Sequence, residues 1–146
     1  MLASTNTVAM GEALMIAKKA NIDLEQFWNA IRFSAGNSFV WETEAPLVFN
    51  GSYETEFAVD LQCKDMRLGG EICEHHGVPI ELHALVHQIY NRAKYKYGAN
   101  APSTIPAKLI QDELQDAPLQ IEETFDKWSY SIDTTNNTVT VIHKFE

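Results

Sequence analysis

Apolar residues run nearly all round a 3.6-residue period between Val8 and Ala17, the pattern of a helix buried on most of its sides. Such a helix needs neighbours. Ser4, Thr5 and Asn6 offer an N-cap, but no glutamate stands at the capping-box spacing and Leu2 and Ala3 are already helix-like, so the chain is expected to begin inside a longer helix. Lys18 and Lys19 suit its C-terminus. Asp23, with Gln26 three residues on, opens a second helix whose apolar side is Leu24, Phe27, Trp28 and Ile31, ending near Ala35 and Gly36. Ser38 caps a third, short helix carrying Phe39, Val40 and Trp41, and Pro46, Asn50 and Gly51 then mark an irregular passage to Phe57.

The stretch from Phe57 to Pro79 reads as a helix with Leu61, Leu68 and Ile72 on one side, taken as the core stripe. Lys64 and Asp65 fall within that stripe, so two charges are expected to point inward. Adjacent helical residues do not face each other, so each needs another partner, a water-filled cleft or a ligand. Two outcomes stay open: Lys64 snorkels along the stripe's edge while Asp65 pairs with a neighbouring segment, or both line a cleft. Gly77 suits the left-handed C′ position, and Pro79 sits at the first position of the next helix. There Leu82, Leu85, Val86, Ile89, Ala93 and Tyr97 form an amphipathic series up to Gly98. Pro102, Ser103, Thr104 and Pro106 start a further helix through Leu114, followed by a bend and linker in DAPLQIEE. The period then changes. Trp128, Tyr130 and Ile132 alternate, Val139, Val141 and His143 alternate after them, and Thr134 to Asn137 lie between as turn chemistry, so a β-hairpin is expected. The fold class is mainly α, a multi-helical domain over residues 1–114, with a linker and hairpin extension over 115–146.

Composition narrows the function. At 146 residues the chain supports one domain with a real core, and is too short for a nucleotide-binding domain plus a helical one. A net charge of -9 repels nucleic acid and anionic lipid, and no apolar run is long enough to span a membrane. Arg92, Lys94 and Lys96, interleaved with Tyr95 and Tyr97, read as a solvated helix face. Cys63 and Cys73 lie about 15 Å apart along one helix and cannot bridge there. Reduced thiols and the lack of a leader fit a cytoplasmic protein. His83 with His87, and Cys73 with His75 and His76, have metal-ligand spacings but incomplete ligand sets, so no metal is expected, and the His83 and His87 pair reads as a solvated helix side. No glycine fingerprint, P-loop, nucleophile elbow or H-E-x-x-H occurs.

Phe57, Leu61, Lys64, Asp65, Leu68, Gly77 and Pro79 stand in an F-x3-L-x2-K-D-x2-L then G-x-P spacing, and Glu12 to Asp23 reads EALMIAKKANID, with Asn21 where a glycine is usual. The chain to about Tyr97 thereby resembles the C-terminal helical domain of the β-hydroxyacid dehydrogenase, or 3-hydroxyisobutyrate dehydrogenase, family, whose fold is that of the 6-phosphogluconate dehydrogenase C-terminal domain. The resemblance implies NAD or NADP as cofactor, a small hydroxy acid as substrate, a homodimer, and an N-terminal Rossmann domain that this chain lacks. It also implies that Lys64 and Phe57 approach the cofactor and that Asp65 supports catalysis. The family's proton-transfer lysine, in a K-x-x-N motif, would precede Met1, so the chain alone is expected to be inactive. A competing expectation is a non-catalytic helical self-association module.

Overall fold

In the computed structural model of the chain, residues 1–115, 118–123, 125, 129–133 and 140–144 are described, the last two stretches by their backbone. Six helices are found among them: α1 (Leu2–Lys19), α2 (Leu24–Arg32), α3 (Phe39–Phe49), α4 (Val59–His75), α5 (Glu81–Tyr97) and α6 (Pro106–Glu113). The mainly α, multi-helical fold is the one expected.

Helix α1 is the axis on which the others assemble, packing against α2, α3, α5 and α6. Its buried residues include Thr7, Met10, Gly11, Leu14, Met15 and Ala17, while Leu2 and Ile16 remain exposed. Gly11 is there because α6 crosses at backbone contact: a Cβ on it would lie 2.7 Å from Ala107 Cα. Ser4 to Asn6 are inside the helix and do not cap it. Beyond α1 the chain turns on Asn21, whose φ of 55° is left-handed. Glycine adopts that conformation freely and asparagine tolerates it, which accounts for asparagine at a position where glycine is usual.

The Asp23 carboxylate caps α2 by accepting from Gln26 N at 2.8 Å, and Ser38 Oγ caps α3 by accepting from Trp41 N at 3.0 Å. Trp28 and Trp41 join these two helices through reciprocal bonds from each indole to the other residue's carbonyl. Contrary to expectation, α3 does not stop before Pro46 but carries it and runs to Phe49. Proline costs a helix one amide bond, and burial of Ala45, Val48 and Phe49 on the same element offsets that loss.

The two central helices correct the predicted core stripes. On α4 the buried residues are Val59, Cys63 and Met66, whereas Leu61, Leu68 and Ile72 are 43, 42 and 61% exposed. On α5 the buried face is His83, Val86, Tyr90 and Ala93, and Leu82 and Leu85 face outward. Large aliphatic residues stand on both faces of each helix. The inner face is the one along which α4 and α5 pack on each other, where a Cβ on Gly69 would meet the His83 ring at 3.6 Å. Helix α4 ends in a Schellman motif, with Gly77 at φ 66°, Val78 N bonded to Cys73 O at 2.9 Å and Gly77 N to Glu74 O at 3.1 Å. Pro79 lies ahead of the α5 cap Ile80 and not at the first helical position. Pro106 does occupy that position, in α6.

The stretch after Leu114, read as a linker, returns to the core. Leu119 and Phe125 are buried, the Phe125 ring lies edge-on to Phe49 at 5.1 Å and to Trp28 at 6.0 Å, and Ile121 N bonds Phe49 O at 2.8 Å. Two apolar residues among polar neighbours give no period, which is why the pattern did not show them. Strands β1 (Ser129–Asp133) and β2 (Thr140–Lys144) pair antiparallel in the register Tyr130 to His143 and Ile132 to Val141. This is the alternation expected of the hairpin; Trp128, Val139 and the intervening turn lie outside the described residues. Among the described residues no helix is long and apolar enough to cross a membrane.

Candidate functional site: the solvent face of α4

The start of α4 is held by backbone and not by a capping side chain. Val59 N bonds Ala101 O at 2.7 Å, Asp60 N bonds Ala99 O at 3.2 Å, and Ser103 N bonds Phe57 O at 2.7 Å. The segment ahead of α6 thereby accepts two of the amides that a helix's first turn leaves without intrahelical partners. It fixes where Phe57 enters the helix. Thr55 Oγ1 adds a bond to Phe57 O at 3.3 Å and lies 3.0 Å from Ser103 Oγ.

On α4, Leu61, Lys64 and Leu68 share one side, with Asp65 and Ile72 on it as well, and Phe57 stands just ahead of the helix. That side is opposite the one formed by Val59, Cys63 and Met66. The expectation of inward charges is therefore corrected: the Lys64 and Asp65 side chains are 52 and 51% exposed. They also find each other, with Lys64 Nζ 3.2 Å from Asp65 Oδ1. Long, flexible side chains close the gap that the helical angle between neighbours leaves. Leu61, Leu68 and Ile72 make that side apolar without burying it.

Neither of two cavities in the helical unit takes in Phe57, Lys64 or Asp65. One, of about 190 Å³, lies between α1 and the α2–α3 connection by Met10, Ile31 and Trp41. The other, of about 240 Å³, lies between α1, α5 and α6 by Glu12, Arg92 and Glu113. By exposure the α4 face is an open surface, with an ammonium, a carboxylate and uncovered leucines on it and the partly exposed Phe57 just ahead of it. Such a surface offers an anion a cation and offers a ring an apolar wall. It cannot by itself enclose a dinucleotide.

Behind this face sits a group whose role the sequence did not reveal. His83, expected on a solvated helix side with His87, is buried, and its Nε2 lies 2.8 Å from Met66 O. A carbonyl partner makes that nitrogen the donor. Its place in the register His83, Val86, Tyr90, Ala93 was the available signal. His87 is held below its ordinary pKa by burial and by the nearby His83, against a backbone hydrogen bond at Cys63. Burial pushes the Cys63 thiol up, which disfavours the reactive thiolate. Among the described residues no three His, Cys, Asp or Glu side chains gather into a metal-binding group. Lys94, from the basic cluster of α5, pairs with Asp60 at 2.7 Å and Arg92 pairs with Glu113, so these cations serve packing between helices.

Residues 1–110 match the family model described as NAD-binding of NADP-dependent 3-hydroxyisobutyrate dehydrogenase. An L-threonate dehydrogenase of Cupriavidus necator is 30% identical over 93 residues, which are 64% of this chain and 31% of that protein. A 2-(hydroxymethyl)glutarate dehydrogenase of Eubacterium barkeri is 30% identical over 91 residues, 62% of this chain and 30% of that protein. Among solved structures, a 3-hydroxyisobutyrate dehydrogenase of Salmonella typhimurium superposes with a TM-score of 0.68 at 25% identity, covering 74% of this chain and 38% of that one. One from Mycobacterium tuberculosis, at 19% identity, shares the fold with a TM-score of 0.69 over 76% of this chain and 40% of that one. The chain thus spans about a third of the length of the curated relatives it matches.

Proposed function

Because the chain belongs to the family of NADP-dependent 3-hydroxyisobutyrate dehydrogenases, matched over its NAD-binding helical part, we propose that it is the C-terminal part of an NAD(P)-dependent oxidoreductase acting on a small β-hydroxy acid. In that role the α4 face closes over a cofactor held by a Rossmann domain. The observation that carries the proposal is the gathering of Lys64, Asp65, Leu61 and Leu68 on one exposed, partly apolar side of α4, opposite its core side, where a second body would cover them.

When bound, the nicotinamide supplies the hydride chemistry. The chain's own residues bind and orient. Lys64 places an ammonium against an anionic part of the dinucleotide or a substrate carboxylate, and Asp65, 3.2 Å away, orients that ammonium. Covering the face removes water, and the same charges then act more strongly than they do in solvent. Phe57 walls the nicotinamide side. The bulk of the work is assigned to the helical unit of residues 1–114, and the extension from 115 docks on it through Leu119 and Phe125. The enzyme works as a homodimer and resides in the cytoplasm, where its free thiols stay reduced.

The uncovered Leu61, Leu68, Ile72, Leu82 and Leu85 equally favour a second reading, a non-catalytic self-association module. A chimera separates the two. The N-terminal part of the Cupriavidus relative, joined to this chain at Met1, is assayed for NAD(P)H formation with a panel of small hydroxy acids. Turnover that falls at least tenfold in K64A, with a raised KM for the cofactor, supports the enzyme reading. A folded, dimeric chimera without turnover, or one indifferent to K64A, supports the module.

A further inference from the structure

The inner side of α4 buries Val59, Cys63 and Met66, while Lys64 and Asp65 face outward. Apolar contact is non-directional, so burial of three such residues leaves the helix free to roll or slide on its neighbour. Directional contacts take up that freedom. From α5, which packs on α4, Lys94 Nζ meets the Asp60 carboxylate at 2.7 Å, His87 bonds the backbone of Cys63, and His83 Nε2 donates to Met66 O at 2.8 Å. The order along α5 is the reverse of that along α4, so the three contacts form a ladder between antiparallel helices.

Two of its rungs bracket the candidate pair. Cys63 immediately precedes Lys64, and Met66 immediately follows Asp65. Gly69 and Gly70 open the way to the lower rung: a Cβ on Gly69 would lie 3.6 Å from His83 Cε1, and one on Gly70 3.8 Å from His83 Nε2. The buried imidazole therefore lies along a stretch of α4 that has no side chains. Inside the helix Met66 O already accepts from Gly70 N, so the imidazole is not needed to satisfy that carbonyl. What it adds is a fixed angle between the helices.

We propose that His83, seconded by His87, is a positioning residue for Lys64 and Asp65: its bond to Met66 O sets the roll of α4 on α5, and with it the direction in which the ammonium and carboxylate are presented. The inference rests on the cofactor-side reading of this face. Side chains reach about 5–6 Å from a helix axis, so a roll of about 20° carries their ends about 2 Å. A misplacement of about 1 Å is enough to cost an enzyme about a hundredfold in rate.

The test uses the 146-residue chain, with residual dipolar couplings of the α4 and α5 amides, thermal unfolding, and an NADPH titration followed by NMR at Lys64. H83L removes the donor and keeps an apolar side chain in its place, whereas H83Q keeps a donor able to reach Met66 O. In H83L the unfolding temperature is expected to stay near that of the wild type, while the α4 couplings change relative to those of α5 and NADPH affinity falls at least threefold. H83Q restores both. A histidine that merely packs would lower the unfolding temperature and leave orientation and affinity alone. Couplings or affinity unchanged in H83L, or a loss that H83Q does not restore, overturn the proposal. A wild-type chain without an NADPH response on α4 sinks the cofactor-side reading and this proposal together, and a wild-type response that survives H83L sinks the positioning role alone. Where H83L does not fold, H87L and H87Q at the half-buried next rung give the same comparison.

Discussion

Trp28 and Trp41 bind each other in both directions: Trp28 Nε1 donates to Trp41 O at 3.1 Å and Trp41 Nε1 to Trp28 O at 3.1 Å. Both residues are buried, and the pair fixes α2 against α3. Replacement of either by phenylalanine removes one interior hydrogen bond and part of a ring, together about 1–3 kcal/mol. W28F should cost more, because Trp28 also stands edge-on to Phe49 and Phe125. Urea unfolding reads the difference, and an unchanged midpoint in W28F would contradict the packing described.

Gly11 marks the closest approach of α1 and α6. Alanine in its place gains about 1 kcal/mol of helix propensity. The new Cβ, however, would lie 2.7 Å from Ala107 Cα, a backbone atom that only a helix shift can move, and overpacking of that kind costs about 1–3 kcal/mol. G11A is therefore expected to be destabilised in thermal unfolding; a raised Tm would show that α6 is not seated where it is described.

Asp112 links the end of α5 to α6, accepting from the Tyr97 hydroxyl at 2.7 Å and pairing with Lys96 at 3.3 Å. Burial pushes its carboxyl up, but the Tyr97 hydroxyl and the Lys96 ammonium outweigh that and hold the pKa below its ordinary 3.8. A depressed carboxyl contributes stability present above the unfolded-state value and lost as pH falls through the folded one. D112N should then be less stable than the wild type at neutral pH, and the gap should close in acid below pH 3.8. A gap that widens in acid reverses the sign and rules the account of this contact out.

Which parts of this were legible in the sequence follows from where the information is local. Asp23 and Ser38 as caps, Gly77 as a left-handed stop and the strand alternation are all set by neighbours a few residues away, and each stands as expected. Facing was not local. Val59, Cys63 and Met66, not Leu61, Leu68 and Ile72, meet the interior because α5 packs against that side of α4, with His83 bonded to Met66 O. Pro46 looked like a stop because its helix is maintained by distant partners of Ala45, Val48 and Phe49. Lys64 and Asp65 stand out in the sequence as charges within an apolar stripe, but that stripe faces outward, so both are exposed; Phe57 is a candidate through the family resemblance alone.

An exposed pair such as Lys64 and Asp65 contributes about 0–1 kcal/mol. Replacement by methionine and leucine should accordingly leave the unfolding midpoint of the isolated chain nearly unchanged, which frees both residues for a ligand. A loss well beyond that range would make them structural.

The most direct measurement is a two-dimensional amide NMR titration of the chain with NADPH and NADH at millimolar concentration. If α4 presents the cofactor-side surface, shifts gather at Phe57, Leu61, Lys64 and Asp65 and vanish in K64A while its spectrum otherwise stays folded. Shifts that gather instead on α1 and α6, or that persist undiminished in K64A, would contradict the assignment of this face.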